Sequence, residues 1–152
     1  MIDLLEIELI KQLKYRYFRA LDTKNWALIT TCLTEDAVAR YGGGKYSFDG
    51  RDNIIKFFEK SLNTPKRITL HHGHHPEINL TSPETATGIW YLQDLVIDLI
   101  GNTTLRGAGF YHDDYVKENA EWKIKVTGYE RTYEEIEKRS DQIELTHNRF
   151  TK

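Results

Sequence analysis

Sulfur chemistry is nearly absent from this chain. Cys32 is the only cysteine among 152 residues. One cysteine cannot form an internal disulfide or a cysteine-based zinc site, so we expect a reduced, cytoplasmic setting. Cys32 also lies in an apolar stretch, where a thiol is more often a core side chain than a nucleophile.

Excess charge and long apolar runs are missing too. The formal net charge is -2, so no overall basic field favours nucleic acid or an anionic membrane surface. No apolar stretch approaches the roughly 20 residues of a spanning helix. The N-terminus lacks the basic start and the cleavage site of a signal peptide. We therefore expect neither nucleic acid nor a membrane as a partner.

Motifs for cofactors and for nucleophilic catalysis are also lacking. The GAGF segment at 107–110 lies inside a predicted strand, where glycines indicate a bend or the close approach of a ligand rather than a phosphate loop. No nucleophilic-serine elbow is present. The sequence therefore gives little support to a phosphate-binding loop or to a nucleophilic serine.

Helical patterns occupy the first part of the chain. Apolar residues recur at three- and four-residue steps over 2–21, and shorter helices are predicted at 26–33 and 50–62. Between the second and third helices, residues 35–41 alternate like a strand. The GGG turn at 42–44 and a returning arm at 45–48 complete a hairpin.

Beyond Pro65, β-branched and aromatic residues dominate. Turn signals separate four predicted strands, at 67–80, 85–100, 104–117 and 122–132. Residues 134–139 predict a short helix, and the polar segment 140–152 predicts a C-terminal arm. Helices followed by long antiparallel strands indicate one α+β domain over 1–139, with helices on one face of a curved sheet.

Four of the six histidines lie in the run LHHGHHPEI. Histidine has the side-chain pKa closest to working pH, so it can take and return a proton there. Strand alternation places His71 and His75 on one side and His72 and His74 on the other. Because only one pair can share a pocket, the cluster supplies at most two metal ligands, and no metal site is predicted.

Two acids and a tyrosine are further candidates for a site. Tyr17 and Asp22 are five residues apart, a rotation of about 500°, so they converge only if the helix ends near Asp22. Asp94 lies in the apolar strand GIWYLQDLVID. It must face water, a partner or a pocket, because burying a carboxylate alone is costly.

Arg131 and Tyr129 end the last predicted strand. Strict alternation puts both on one face with Lys125, which reads as exposed. A β-bulge at Gly128 would reverse this orientation and turn them inward. The sequence leaves both arrangements open.

Five segments in order resemble the SnoaL-like branch of the nuclear transport factor 2-like superfamily. They are KYRYFRALDTKNW, HHGHHPEI, TATGIWYLQD, GAGFYHDDYVK and WKIKVTGYERTYEE. Within the family, the similarity is greatest to the bile acid 7α-dehydratases. The resemblance implies the cystatin-like α+β cone shared by scytalone dehydratase and ketosteroid isomerase, closed around a pocket.

The resemblance also implies a site. By motif, the catalytic positions fall on Tyr17, Asp22, His71, Asp94 and Arg131, and the substrate-binding positions on Tyr41, His74, Tyr111 and Tyr129. The family pattern of histidine, any residue, glycine, histidine, any residue, proline matches His71 and His74. His72 and His75 are departures from it.

The implied reaction is cofactor-free dehydration of a hydroxylated 3-oxo steroid or bile-acid-like compound. His71 would act as general acid and base, oriented by Asp94. Tyr17 would donate to the developing oxyanion, Asp22 would position Tyr17 or assist proton transfer, and Arg131 would balance the acids. The roles of Tyr17 and His71 fit the sequence equally well when exchanged.

Other functions remain open from the sequence. The same residues would serve a steroid isomerase or a polyketide cyclase-like enzyme. A non-catalytic ligand-binding or structural subunit with this fold would not need to keep Tyr17, His71 and Asp94 together. The resemblance further implies a small hydrophobic substrate and a homotrimer or homodimer built through the sheet.

Overall fold

Over residues 3–151, three helices pack against one face of a six-stranded sheet. The computed structural model describes residues 3–151, and its helices are α1 (Leu4–Thr23), α2 (Trp26–Cys32) and α3 (Arg51–Leu62). All three predicted helices are confirmed, although Ile2, in the first predicted helix, lies outside the described residues. No helix in this part of the chain has the length and apolarity needed to cross a bilayer.

Local signals set the limits of α1. The Asp3 carboxylate accepts hydrogen bonds from the backbone N–H groups of Leu5 and Glu6, which the first turn otherwise leaves unpaired. At the other end, Lys24 adopts a left-handed conformation (φ 55°) and its N–H caps the last turn. The helix therefore ends at Thr23, one residue after Asp22.

The sheet is curved and open. Its strands are β1 (Leu33–Tyr41), β2 (Tyr46–Asp49), β3 (Arg67–Ser82), β4 (Thr85–Asp98), β5 (Thr103–Glu118) and β6 (Glu121–Lys138). They lie in the order β2-β1-β6-β5-β4-β3, and every neighbouring pair is antiparallel except β1 and β6, which are parallel. This is the predicted α+β architecture with helices on one face.

The short helix predicted at 134–139 is wrong. This segment continues β6, and its residues pair with β5 as far as Lys138 opposite Thr103. The EEIEK sequence has high helix propensity, but a continuous ladder to a long neighbouring strand overrides it. The extension matters because Glu134 and Ile136 reach the cavity described below.

A β-bulge decides which face of β6 carries the predicted site residues. Lys125 is an extra residue on β6, so the pairing with β5 shifts there. Ile124 is buried before the bulge and Thr127 after it, which changes the parity of the inward positions. Arg131 therefore turns inward. The reversal considered at Gly128 occurs three residues earlier.

The core lies between the helices and the inner face of the sheet. Ile10 and Leu13 of α1 pack there with Trp90 and Leu92 of β4, all with no exposed surface. Helix α1 lies close to β3 because Gly73 has no side chain. A Cβ at that position would stand 2.5 Å from the Phe18 ring. This contact brings the end of α1 next to the histidine-rich strand.

The C-terminal segment folds back toward α1. Residues 140–151 form no helix or strand, and Lys152, the end of the predicted arm, lies outside the described residues. Asn148 donates to the backbone carbonyl of Pro65 at 2.8 Å. The ammonium of Lys24 lies 4.1 Å from the centre of the Phe150 ring. The segment thus packs beside the loop that leads into β3.

Candidate active site

A cavity of about 580 Å³ opens between α1, α3 and the inner face of the sheet. Of the nine residues predicted for the site, seven line it: Tyr17, Tyr41, His71, Asp94, Tyr111, Tyr129 and Arg131. Asp22 stands behind the wall and contacts one of them, whereas His74 lies elsewhere. The volume falls within the range of about 300–1,000 Å³ that is typical of small-molecule sites.

His71 is held by Asp22. Its Nδ1 lies 2.7 Å from Asp22 Oδ1, and its backbone N–H donates to Oδ2 at 2.8 Å. Thr69 donates to the same carboxylate at 2.8 Å. The ring of Phe18 stacks parallel to the imidazole, with 6.2 Å between centres. A carboxylate that accepts from Nδ1–H leaves Nε2 as the proton-accepting nitrogen.

The partner of His71 therefore differs from the one expected. His71 and Asp94 are opposite each other in the pairing of β3 with β4, but the Asp94 carboxylate is bound by Arg131. Asp22 also makes no contact with Tyr17 that would position it, because its oxygens bind β3. Both assignments depended on how the end of α1 meets β3, 49 residues along the chain.

Asp94 and Arg131 form a two-point ion pair inside the cavity. Arg131 Nη2 donates to Asp94 Oδ2 at 2.9 Å, and Nη1 donates to Oδ1. The Asp94 side chain is only 4% exposed. Burial alone would lower the pKa of Arg131, but the Asp94 carboxylate raises it above its ordinary value. Asp94 thus has the partner that its burial requires.

Gly107 makes room for this ion pair. A Cβ at Gly107 would collide with the guanidinium of Arg131 and lie 3.2 Å from Asp94 Oδ1. The glycine in the GAGF segment therefore marks a close approach, as the sequence indicated, but the approaching group is a side chain of the protein.

Two tyrosine hydroxyls meet at one end of the cavity. The oxygens of Tyr17 and Tyr41 are 2.7 Å apart, so one donates to the other and the second keeps its O–H free to donate to a ligand. Burial raises the pKa of both phenols above the ordinary value, and it does the same for Tyr111. These hydroxyls are hydrogen-bond donors at neutral pH.

His74 does not reach this cavity. It lines a second groove, between α1 and β3, together with Tyr15, Arg19 and His72, and its Nε2 lies 3.3 Å from Gln93 Oε1. The strand is irregular just beyond it, where the pairing of β3 with β4 shifts. The structure thus separates His74 from the other predicted substrate-binding residues.

Sequence reasoning missed most of the apolar wall. The missed lining residues include Phe57, Phe58, Leu62, Val96, Leu105 and Ile136. In the sequence, Phe57, Phe58 and Leu62 recur at helical spacing, which indicates an apolar face but does not show whether that face meets a core or a cavity. Among residues 3–151, no group of three or more His, Cys, Asp or Glu side chains is arranged to hold a metal ion.

Comparison with known families identifies the family of this chain. The sequence profile of the SnoaL-like domain matches residues 3–127. The chain belongs to the SnoaL-like family. Within the matched segment lie both members of the His71–Asp22 pair and both hydroxyls of the tyrosine pair.

Solved structures agree on the fold. A provisionally named scytalone dehydratase from Novosphingobium aromaticivorans is 22% identical, with a TM-score of 0.80 over 93% of this chain and 97% of that one. A hexachlorocyclohexane dehydrochlorinase, LinA type 2, is 16% identical, with a TM-score of 0.82 over 95% and 97%. At such identities the likeness establishes the SnoaL-like, nuclear transport factor 2-like fold alone.

A third structure links the family to the predicted fold class. A protein of unknown function with a cystatin-like fold, from Nostoc punctiforme, is 19% identical, with a TM-score of 0.69 over 86% of this chain and 93% of that one. The predicted cystatin-like cone is therefore confirmed. Arg131 lies just beyond the stretch matched by the family profile, so its place in the site rests on the geometry of β6.

Proposed function

We propose that this SnoaL-like protein is a cofactor-free lyase that removes water from a hydroxylated cyclic ketone. The single observation that carries this proposal is the His71–Asp22 pair at the wall of an apolar cavity. A histidine with its Nδ1–H held by a carboxylate is a base at Nε2, and it becomes a stabilised acid once protonated.

The reaction balances with the residues present. His71 Nε2 takes a proton from a carbon next to the conjugated carbonyl system, and the electron pair moves onto the carbonyl oxygen. The Tyr17–Tyr41 pair donates to that developing oxyanion. The electron pair then returns from the oxyanion, so that the carbonyl re-forms and a new C=C bond replaces the breaking C–O bond. The departing hydroxide takes the proton from imidazolium, and water leaves. The enzyme ends in the state in which it began.

The oxyanion interaction is the second requirement. A donor preorganised in a site that excludes water contributes roughly 3–4 kcal/mol to stabilising the transition state. The Tyr17 and Tyr41 hydroxyls meet this condition because they are buried, bound to each other and protonated. The Arg131–Asp94 pair then serves to orient a polar group of the substrate. Two structural relatives bear the names of eliminating enzymes, which supports elimination as the reaction class.

The substrate we propose is a hydroxylated 3-oxo steroid or a bile-acid-like compound. The cavity has aromatic and aliphatic walls that are interrupted by a few polar groups, among them the tyrosine pair, His71 and the Arg131–Asp94 ion pair. A rigid, apolar ring system with one carbonyl and one hydroxyl matches that distribution. The sequence motifs shared with bile acid 7α-dehydratases also favour this class.

The test is a direct assay. Purified protein is incubated with a 7α-hydroxy-3-oxo-4-ene steroid, and the absorbance of the longer conjugated dienone is followed. We expect the His71→Gln variant to lose about 10²–10⁴-fold in kcat, the usual contribution of general acid–base catalysis. His72→Gln is the matched control, since His72 does not line the cavity. Absence of any rise at high protein concentration would exclude this substrate class.

A further inference from the structure

A fully buried ion pair lies beneath the tyrosine end of the cavity. Lys14 Nζ is 2.7 Å from Asp113 Oδ2, and neither side chain has any exposed surface. Asp113 also accepts hydrogen bonds from Tyr115 and Thr127, each at 2.7 Å. Lys14 lies 3.4 Å from the Thr127 hydroxyl. The pair thus joins α1 to β5 and β6 through a network in which the carboxylate has three donors.

Aromatic rings of the site surround the Lys14 ammonium. Its nitrogen lies 3.7 Å from the centre of the Tyr111 ring, 4.7 Å from that of Tyr17 and 5.0 Å from that of Phe18. An ammonium over an aromatic face is attracted by the ring quadrupole. Two of these rings line the cavity, and Phe18 stacks on His71. One cation therefore contacts three side chains that shape the site.

Lys14 connects the helix that carries part of the site to the sheet that carries the rest. Helix α1 carries Tyr17 and Asp22, whereas the sheet carries His71 and Asp94. Catalysis requires the helix and the sheet to meet in one relative position. Lys14 lies three residues before Tyr17 on the same face of α1, and its ammonium forms an ion pair with Asp113 of the sheet.

Stability alone does not explain why these two charges are buried. Removing an ammonium and a carboxylate from water is costly, and replacing a buried ion pair with apolar or neutral residues of similar size is often neutral or stabilising. Such a pair has one property that apolar contacts lack, because its partners and geometry are specific. Apolar packing would tolerate a small slide of α1 across the sheet.

We propose that Lys14 is a positioning residue: its ion pair with Asp113 fixes α1 against the sheet so that Asp22 meets His71 and Tyr17 meets Tyr41 in the reactive arrangement. The kinetic part of this inference rests on the proposed function. The structural part does not, because it can be measured without substrate.

The experiment uses the double variant Lys14→Met with Asp113→Asn. It removes both charges together. The amide oxygen can take the place of Oδ1 and accept from Thr127, while the amide nitrogen takes the place of Oδ2 and can donate to the Tyr115 hydroxyl. The full-length protein carries 3-fluorotyrosine, and the ¹⁹F resonance of Tyr17 is assigned by its loss in Tyr17→Phe. We expect a melting temperature close to wild type, together with a shifted and broadened Tyr17 resonance.

The kinetic readout is the split between kcat and KM for the steroid. A displacement of about 1 Å in a reacting arrangement can cost about 10²-fold in rate, so we expect kcat to fall by about that factor with KM little changed. A purely structural role would lower the melting temperature and leave the kcat of the folded fraction unchanged.

Two further variants keep the test decisive. Ile10→Val lies one turn earlier in the same buried face of α1 and is the control. It should lower the melting temperature without moving the Tyr17 resonance. Thr127→Val removes one donor to Asp113 and keeps the Lys14 charge in place. It therefore tests the positioning role even if the double variant fails to fold. It should shift the Tyr17 resonance in the same direction, by less.

The outcomes separate the two proposals. A sharp Tyr17 resonance at the wild-type position, in a folded double variant or in Thr127→Val, overturns the positioning role. A displaced resonance in Thr127→Val, which keeps the Lys14 ammonium beside the Tyr17 ring, supports it, even if wild-type protein has no activity toward steroids. In that last case the proposed function fails alone.

Discussion

At the scale of single residues, the candidate site depends on which carboxylate holds the imidazole. The sequence named both Asp22 and Asp94, and the structure gives them different partners: Asp22 binds His71 and Asp94 binds Arg131. Residue types and motifs indicated the members of the site. They did not indicate the pairing, because hydrogen bonds between distant elements depend on angles that no local pattern records.

The tyrosine pair yields a prediction at the same scale. Tyr17→Phe and Tyr41→Phe should each lower kcat by about 10²–10³-fold, since each removes one member of the donor pair at the oxyanion. Because burial raises the pKa of Tyr17 well above 10.0, the pH–rate profile of the wild type should show no loss of activity from tyrosine ionisation below pH 10. Stopped-flow rates between pH 6 and pH 10 check both points. A limb of falling activity near pH 9 that disappears in either variant would contradict this reading.

At the scale of elements, the Arg131–Asp94 pair links β6 to β4 across Gly107. Arg131→Gln should cost about 3–5 kcal/mol of unfolding free energy, because it leaves the buried Asp94 carboxylate without its cation. The exposed pair of Arg40 with Asp49 is the matched control, and Arg40→Gln should cost about 0–1 kcal/mol. Urea denaturation measures both. Equal losses of unfolding free energy in the two variants would mean that burying the Arg131–Asp94 pair does not increase its contribution to stability.

The Glu6 carboxylate joins α1 to β5 and β6 by accepting hydrogen bonds from Lys117 and Trp122. Hydrogen bonds from Lys117 and Trp122 lower the pKa of Glu6 below its ordinary value of 4.5. A lowered carboxyl pKa adds stability that is fully present above the unfolded pKa and is lost as pH falls through the folded one. The melting temperature of wild type should therefore exceed that of Glu6→Gln at pH 7, and the difference should shrink below pH 4.5.

Glu8→Gln is the control for this pH dependence. Glu8 lies on the same helix with its side chain 47% exposed, in a surface pair with Lys11. Such pairs contribute little, so its replacement should change the melting temperature only slightly at every pH. If Glu6→Gln and Glu8→Gln change the melting temperature alike in calorimetry from pH 3 to pH 7, the Glu6 contacts with Lys117 and Trp122 have no stabilising role.

Most elements were predictable because their signals are local. Periodicity gave three helices, and turn residues gave the strand limits to within a few residues. The exceptions have long-range causes. The helix predicted at 134–139 became strand because β5 supplies a partner along its whole length. Arg131 turned inward because of an extra residue at Lys125, which only the pairing of β5 with β6 reveals.

At the scale of the whole molecule, function requires the cone to bring helix and sheet together around an empty space. Alternating patterns show which residues face inward, but a core and a cavity present the same pattern. The apolar face of α3 is an example, since its Phe57 and Phe58 face a cavity that the pattern alone does not distinguish from a packed core. The family resemblance supplied the expectation of a pocket, and the volume of about 580 Å³ could come only from the assembled fold.

The central claim is that the His71–Asp22 pair removes a proton from carbon without a cofactor. Hydrogen–deuterium exchange measures this step alone. A 3-oxo-4-ene steroid that lacks the 7-hydroxyl is incubated with the protein in D₂O, and deuterium uptake at the carbon positions is followed by NMR. We predict exchange catalysed by wild type and His72→Gln and abolished in His71→Gln. Equal uptake with His71→Gln and wild type would contradict the account.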